Sequence, residues 1–158
     1  MNNTKFIVKS AIIAALYIIL TYLANVIGLA NGVIQVRLSE ILTILPVFTS
    51  AAIPGLTVGC VLSNILTGCA PLDVVFGSIA TLIGAIGTYC LRNKEKLAAI
   101  PPILSNTIIV PFILSYVYAF EGSIGYFMIT VGIGEIISCG ILGMLFMYTL
   151  KPHKKYIE

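Results

Sequence analysis

Residues 122–150 read GSIGYFMITVGIGEIISCGILGMLFMYTL, and Glu135 is the only charged residue among them. A helix needs about 20 mostly apolar residues to cross a hydrocarbon core of about 30 Å. This stretch is therefore long enough to span a bilayer. Three other stretches, residues 10–36, 74–91 and 97–120, contain no Asp, Glu, Lys or Arg. We predict one transmembrane helix from each of the four.

The composition argues against a water-soluble globule. Hydrophobic residues make up 59% of the 158 residues and charged residues 9%, with a mean hydropathy of +1.07. Soluble domains carry roughly 25% charged residues, so most of this surface must face lipid. Without linkers or repeats, we expect residues 1–158 to form a single integral membrane domain.

The number of crossings depends on residues 41–72, a further uncharged run that is too long for one span. Pro54-Gly55 interrupts it and predicts a turn. We divide the run into two short helices, about 38–53 and 55–69, which gives six helices. A re-entrant hairpin over 41–69 would leave four crossings.

Three basic clusters test this count, because cytoplasmic loops are enriched in Lys and Arg. An even number of crossings must then separate each pair of clusters, and both six and four crossings satisfy this. We predict an all-α bundle of about six transmembrane helices with both termini cytoplasmic, and with residues 30–36, 69–73 and 120–124 outside. The clusters are Lys5/Lys9, Arg92/Lys94/Lys96 and Lys151/Lys154/Lys155.

Catalytic chemistry has little support in this sequence. It contains no GxxxxGK[ST], no HExxH and no Ser/His/Asp set, and His153 is its only histidine. The four cysteines show no metal-like spacing. The basic residues sit in short clusters between apolar runs and give no reason to expect a nucleic-acid partner. We therefore expect no catalytic residue, metal or cofactor, and active transport would need an ion gradient or another subunit.

Glu135 is the sharpest candidate for a binding site, because ionisable residues within a membrane are costly. Its carboxylate must be protonated, paired across the bundle or exposed to a wet cavity. We favour a ligand site, and a structural ion pair with Arg37 is the alternative.

Arg37 and Glu40 lie three residues apart where the chain re-enters the membrane. On a helix they share a face, so they either pair with each other or offer a donor and an acceptor to a ligand.

Further polar candidates are Asn64, Asn106 and Asp73. An amide in an apolar setting must find hydrogen-bond partners, which favours Asn64 and, more weakly, Asn106. Asp73 either caps the helix that follows or contributes to binding. Together with Arg37, Glu40 and Glu135, these residues suggest a solute pocket open to the outside.

The first helix carries two pairs of small residues four apart, Ser10/Ala14 and Ala11/Ala15. Such pairs allow another helix to approach closely in lipid. On the residues alone, packing inside the bundle is the simpler interpretation.

Several motifs resemble those of the QueT family, and they cover nearly the whole chain in order. Glu135 in its Gly-Glu context also fits. The motifs are Val33-Ile-Gln-Val-Arg37-Leu-Ser-Glu40-Ile-Leu-Thr-Ile-Leu-Pro46, Gly59-Cys-Val-Leu-Ser-Asn64-Ile-Leu-Thr-Gly68, Asp73-Val-Val-Phe-Gly-Ser78 and Pro101-Pro-Ile-Leu-Ser-Asn106.

The resemblance implies a substrate-binding (S) component of an energy-coupling factor transporter in a prokaryotic plasma membrane. Its cargo would be a queuosine precursor, a 7-deazaguanine base, and Phe76 or Tyr116 could stack on the ring. Ala11 and Ala15 would dock a transmembrane coupling (T) subunit, and two cytoplasmic ATPase subunits would hydrolyse ATP. The alternatives are an S component for another vitamin or base, and a stand-alone ion-coupled carrier.

Overall fold

A computed structural model describes residues 3–29 and 34–157, with side chains up to residue 155. Residues 30–33, which include part of the predicted outer loop and Val33 of the first motif, lie outside the described residues. The described part of the chain is helical and contains no strand. Its six main helices are α1 (Asn3–Val26), α2 (Leu38–Val47), α3 (Ala52–Leu66), α4 (Pro71–Cys90), α5 (Ile100–Tyr116) and α6 (Ile124–His153).

The predicted class, an all-helical multi-pass membrane protein, is confirmed. Helices α1, α4 and α6 are long and apolar enough to cross a membrane, as is α5 with the short turn Glu95–Leu97 before it. Helices α2 and α3 are the two short apolar helices expected from residues 41–72.

The predicted turn at Pro54-Gly55 is wrong by a few residues. The chain reverses at residues 48–51, and Pro54 lies in the first turn of α3. Proline is tolerated there because the first backbone N–H groups of a helix have no intrahelical acceptor. Gly55 serves the packing of α3 against α1 instead, since a Cβ at this position would lie 2.7 Å from the Ser10 carbonyl oxygen.

Both short helices run between the two ends of the bundle. Arg37, just before α2, lines a cavity with Thr67 and Asp73, and we call this the cavity end. Val47, the last residue of α2, lines a second pocket with Arg92 at the opposite end, which we call the basic end. Helix α2 covers the distance with ten residues because it is a 3₁₀ helix, whose rise of about 2.0 Å per residue gives roughly 20 Å.

All three basic clusters lie at the basic end, as the even number of predicted crossings between them requires. Lys154 and Arg92 line the same pocket. The start of α1 lies at this end too, because the Ser10 hydroxyl donates a hydrogen bond of 2.9 Å to the Ala51 carbonyl. All six helices therefore alternate in direction between the two ends.

Helix α2 forms the centre of the bundle. Eight of its ten residues are buried, and it contacts α1, α3, α4 and α6. Glu40 is fully buried on this helix. The carboxyl group of Glu40 therefore lies at the centre of the bundle, since Glu40 belongs to the central helix.

Candidate functional site

The cavity at the cavity end has a volume of about 650 Å³. The end of α1, the segment before α2, the end of α3, the start of α4 and the end of α5 enclose it. Small-molecule sites in proteins occupy about 300–1,000 Å³. Three of the predicted site residues, Arg37, Asn64 and Asp73, line its wall.

Close contacts with α6 fix the position of Arg37. Its backbone N–H donates a hydrogen bond of 3.2 Å to the Ser138 hydroxyl. One turn earlier, Gly134 lets the backbone approach, since a Cβ there would collide with the Gln35 carbonyl. These contacts hold the segment before α2 against the helix that carries Glu135.

The Arg37 guanidinium makes no ion pair with any described carboxylate. Glu40 and Glu135 lie close enough to act on it electrostatically. The two alternatives considered from the sequence, a direct pair with Glu40 and one with Glu135, are thus both absent from the described structure. Arg37 is half-buried as a residue and lines the cavity, so its guanidinium can donate hydrogen bonds to a solute.

Glu40 and Glu135 are both buried next to this wall, with exposed fractions of 0% and 4%. The Tyr17 hydroxyl donates a hydrogen bond of 2.6 Å to Glu40 Oε1. Glu40 Oε2 has no partner among the described residues. The Cys139 thiol donates to Glu135 Oε2 at 3.2 Å.

One carboxylate oxygen each of Glu40 and Glu135 and the Cys139 Sγ, all possible metal ligands, lie within 4.8 Å of one another. This spacing would let the three side chains share a cation, a grouping that sequence spacing does not reveal. Two ionised carboxylates so close in a dry interior repel each other strongly. A proton, Arg37 or a bound ligand with positive charge or N–H donors must compensate them.

Asn106 belongs to α5, one turn before the cavity-lining Val110. Its side chain lies next to Glu135 of α6. It is 1% exposed, and its amide Nδ2 interacts with the Glu135 carboxylate but makes no short hydrogen bond within the described structure. Ser39 Oγ, in the cavity wall, is also buried without a described partner. Such groups are rare in folded proteins, and a bound ligand is one way to satisfy them.

Asn64 reaches the cavity from α3 and is 2% exposed. Its only described side-chain contact as a donor is a long one, 3.7 Å to the Cys60 sulfur. The neighbouring hydroxyls of Ser63 and Thr67 bond back to their own helix backbone. Of these three side chains, the amide of Asn64 is therefore the one that can bind a solute.

Asp73 does not cap α4. The residue at that position is Ala70, and no side chain caps the helix. Asp73 Oδ2 instead accepts a hydrogen bond of 2.8 Å from the Tyr118 hydroxyl, which in turn accepts one of 3.2 Å from the Ala70 N–H. Partial burial raises the pKa of Tyr118, and the Asp73 carboxylate adds to the rise. The hydroxyl therefore stays a donor at neutral pH.

The aromatic residues of the cavity differ from those expected. Phe76 and Tyr116 are 46% and 74% exposed and do not line it. Tyr118 and Phe120 do, with ring centroids 5.7 Å apart and an angle of 20° between the rings. Both follow α5, Phe120 at the start of the predicted outer loop 120–124 and Tyr118 within the predicted span 97–120.

These features define a class: a multi-pass helical membrane protein with a polar solute cavity at one end. A model of the QueT transporter family matches residues 7–152, and the chain belongs to that family. Among curated proteins, it is 39% identical over 82 residues to the queuosine precursor transporter QueT of Lactococcus lactis subsp. cremoris (strain MG1363). That alignment covers 52% of this chain and 48% of the relative, so the chain spans about half the length of the curated relative. No solved structure matches the chain.

Proposed function

We propose that this protein is the S component of an energy-coupling factor importer and captures a queuosine precursor, a 7-deazaguanine base, from outside the cell. The observation that carries the proposal is the cavity lined by Arg37, Asn64 and Asp73, in which Arg37 lies near the buried carboxylates Glu40 and Glu135. Membership of the QueT transporter family supports the same conclusion.

The chemistry of such a base matches these groups. Its guanine-like edge offers N1–H and 2-amino donors, which Glu40 or Glu135 can accept. Its carbonyl oxygen can accept from Arg37 or from an amide, Asn64 or Asn106. An aminomethyl cation would find a second carboxylate in Asp73.

A planar ring also needs a stacking surface. Tyr118 and Phe120 line the cavity, as Tyr22 does, and Tyr118 donates a hydrogen bond to Asp73. Stacking on an aromatic ring adds about 0.5–1.5 kcal/mol beyond area burial. We assign the stacking role to this pair in place of Phe76 and Tyr116.

Energy for uptake would come from two separate cytoplasmic ATPase subunits, coupled through a T subunit. The outward face of α1 supports this assignment. Ala11 and Ala15 are exposed on it, whereas Ala14 is buried against Gly59 of α3. Of the two small-residue pairs, Ala11/Ala15 is thus the one that can receive another helix.

Ligand binding to the purified protein in detergent tests the proposal. We expect 7-aminomethyl-7-deazaguanine, its 7-cyano analogue or queuine to bind tightly in calorimetry, and guanine, riboflavin and biotin to bind weakly. Equal or tighter binding of riboflavin or biotin would support the alternative of an S component with a different cargo.

A second candidate is a stand-alone proton-coupled carrier, which the buried Glu40–Glu135 pair favours. The two functions differ in their energy source. Uptake that persists without ATPase and T subunits but stops with an uncoupler would select the carrier. Uptake that requires those subunits would select the S component.

A further inference from the structure

A second pocket, of about 320 Å³, lies at the basic end. The turn between α2 and α3 forms one side of it, and the end of α4 and the start of the C-terminal tail form the other. The proposed import function gives this pocket no role. Its polar lining residues are Thr49, Ser50, Arg92, Asn93 and Lys154.

The pocket is positively charged. Arg92 and Lys154 contribute two cations, and no carboxylate lines it among the described residues. Glu95, three residues beyond Arg92, does not line the pocket and forms an ion pair of 2.6 Å with Lys151. Cations surrounded by hydroxyl and amide donors match a phosphate group, whose oxygens accept several hydrogen bonds.

The Arg92 side chain is oriented by its neighbour. Its guanidinium lies 4.2 Å from the centre of the Tyr89 ring, a cation–π contact. Tyrosine is enriched where a membrane meets water. The contact places the charge at that boundary, where the headgroup of a lipid would lie.

Helix α4, whose residue Tyr89 lines the pocket, also carries exposed apolar side chains. Ile86 and Ile79, three and ten residues before Tyr89, are 45% and 41% exposed on broadly the same side of the helix. The surface is suited to an acyl chain, which neither inorganic phosphate nor an acidic protein segment possesses.

We propose that this pocket binds the phosphate group of an anionic phospholipid, with one acyl chain along α4. The remaining basic cluster, Lys5/Lys9, lies at the same end and adds to the attraction for an anionic membrane surface. Bound lipid would fix the turn between α2 and α3, and with it the inner end of the central helix. The site is independent of the import function proposed above.

The test measures lipid retention by native mass spectrometry and thermal stabilisation, using the full chain in detergent. The probes are phosphatidylglycerol, phosphatidylcholine and sodium phosphate. We expect phosphatidylglycerol to be retained best and to stabilise the protein most. Equal effects of phosphatidylcholine, or equal stabilisation by inorganic phosphate, would overturn the lipid assignment.

Three variants locate the site. Arg92→Gln should weaken phosphatidylglycerol binding roughly fivefold, the contribution typical of one basic residue at a membrane surface. Asn93→Ala, which removes a donor but no charge, should weaken it by about two- to tenfold. Lys94→Gln, a matched charge change in the same loop but outside the pocket lining, should have little effect.

If Arg92→Gln and Lys94→Gln weakened phosphatidylglycerol binding equally, general surface charge would account for the binding and the proposal would be overturned. The melting temperature of each variant without lipid shows that it is folded. If Arg92→Gln left lipid binding intact but weakened association with the T and ATPase subunits, the pocket would be a protein contact and the lipid assignment would be wrong.

Discussion

At the scale of single residues, the important feature is that Glu40 and Glu135 meet although 94 intervening positions separate them in the sequence. Burial of two carboxylates side by side costs free energy. Tyr17 and Cys139 each satisfy one carboxylate oxygen, and Glu40 Oε2 has no described partner. Glu40 Oε2 is thus available to accept a hydrogen bond from the proposed ligand.

Glu135→Gln separates a role in ligand binding from a role in stabilising the fold. The substitution keeps the size of the side chain but removes a charged acceptor, so we expect the affinity for the deazaguanine base to fall about 10- to 100-fold, as for loss of a hydrogen bond to a charged group. The melting temperature should stay the same or rise, because one of two repelling carboxylates is removed. Calorimetry and thermal unfolding measure the two effects.

Glu121→Gln is the matched control, because Glu121 is exposed in the loop before α6. It should change neither affinity nor stability. Unchanged affinity in the Glu135 variant would remove Glu135 from the site, and a large loss of stability would make its role structural.

The sequence identified the costly residues but not their partners. A charge in an apolar run is visible without a structure, and this indicated Glu135 as well as the wall residues Arg37 and Asp73. Tyr17 and Tyr118 were missed because tyrosine is common at membrane interfaces, and each bonds to a residue 23 or 45 positions away. Such contacts depend on how helices pack, which residue type alone does not determine.

At the scale of helices, α1 presents two different faces. Its inner face packs closely on α3, where a Cβ at Gly59 would lie 2.8 Å from the Tyr17 Cβ and 3.1 Å from the Ala14 Cα. Its outer face carries exposed Ala11 and Ala15. Periodicity predicted both small-residue pairs but could not say which one faces inward.

Gly59→Ala should destabilise the protein by about 1–3 kcal/mol, because the added methyl group forces α1 away from α3. Thermal or denaturant unfolding in detergent measures this loss. Gly125→Ala is the control, since a Cβ there would have a nearest neighbour at 4.0 Å. A variant as stable as the parent protein would contradict the close contact between α1 and α3.

Ala15→Leu should leave the isolated protein as stable as before, within about 0.5 kcal/mol, because the side chain is exposed. Its co-purification with the T subunit should fall at least tenfold if the outer face of α1 is the docking surface. Ala14→Leu, the same change one residue earlier, should instead destabilise the protein itself by about 1–3 kcal/mol through overpacking. Normal complex formation by Ala15→Leu would exclude this face.

Sequence reasoning about the short helices was limited by Pro54. Proline and glycine together usually mark a turn, yet here both lie within α3. Proline is tolerated there because the first N–H groups of a helix have no intrahelical acceptor. The existence of two helices followed from the length of the uncharged run. Their junction at residues 48–51 and the 3₁₀ geometry of α2 depend on how the central helix is packed.

At the scale of the whole molecule, the two ends differ in chemistry. Acidic Asp73 and a polar cavity lie at one end, and all three basic clusters lie at the other. The clusters favour a cytoplasmic location for the basic end, which leaves the cavity open to the outside. The proposed import requires this orientation, because the solute must enter the cavity from outside the cell.

Labelling with a membrane-impermeant thiol reagent tests the orientation and the number of crossings together. In a variant in which alanine replaces Cys69 and Cys90, the remaining cysteines, Cys60 and Cys139, are buried. Glu121→Cys should then react in intact cells, and Lys94→Cys should react only after permeabilisation. Ser50→Cys, at the junction of α2 and α3, should behave like Lys94→Cys, because both helices run the length of the bundle.

If Ser50→Cys reacted in intact cells, α2 and α3 would form a re-entrant hairpin. If Lys94→Cys reacted in intact cells, the whole topology would be inverted and the cavity would be closed to an external solute.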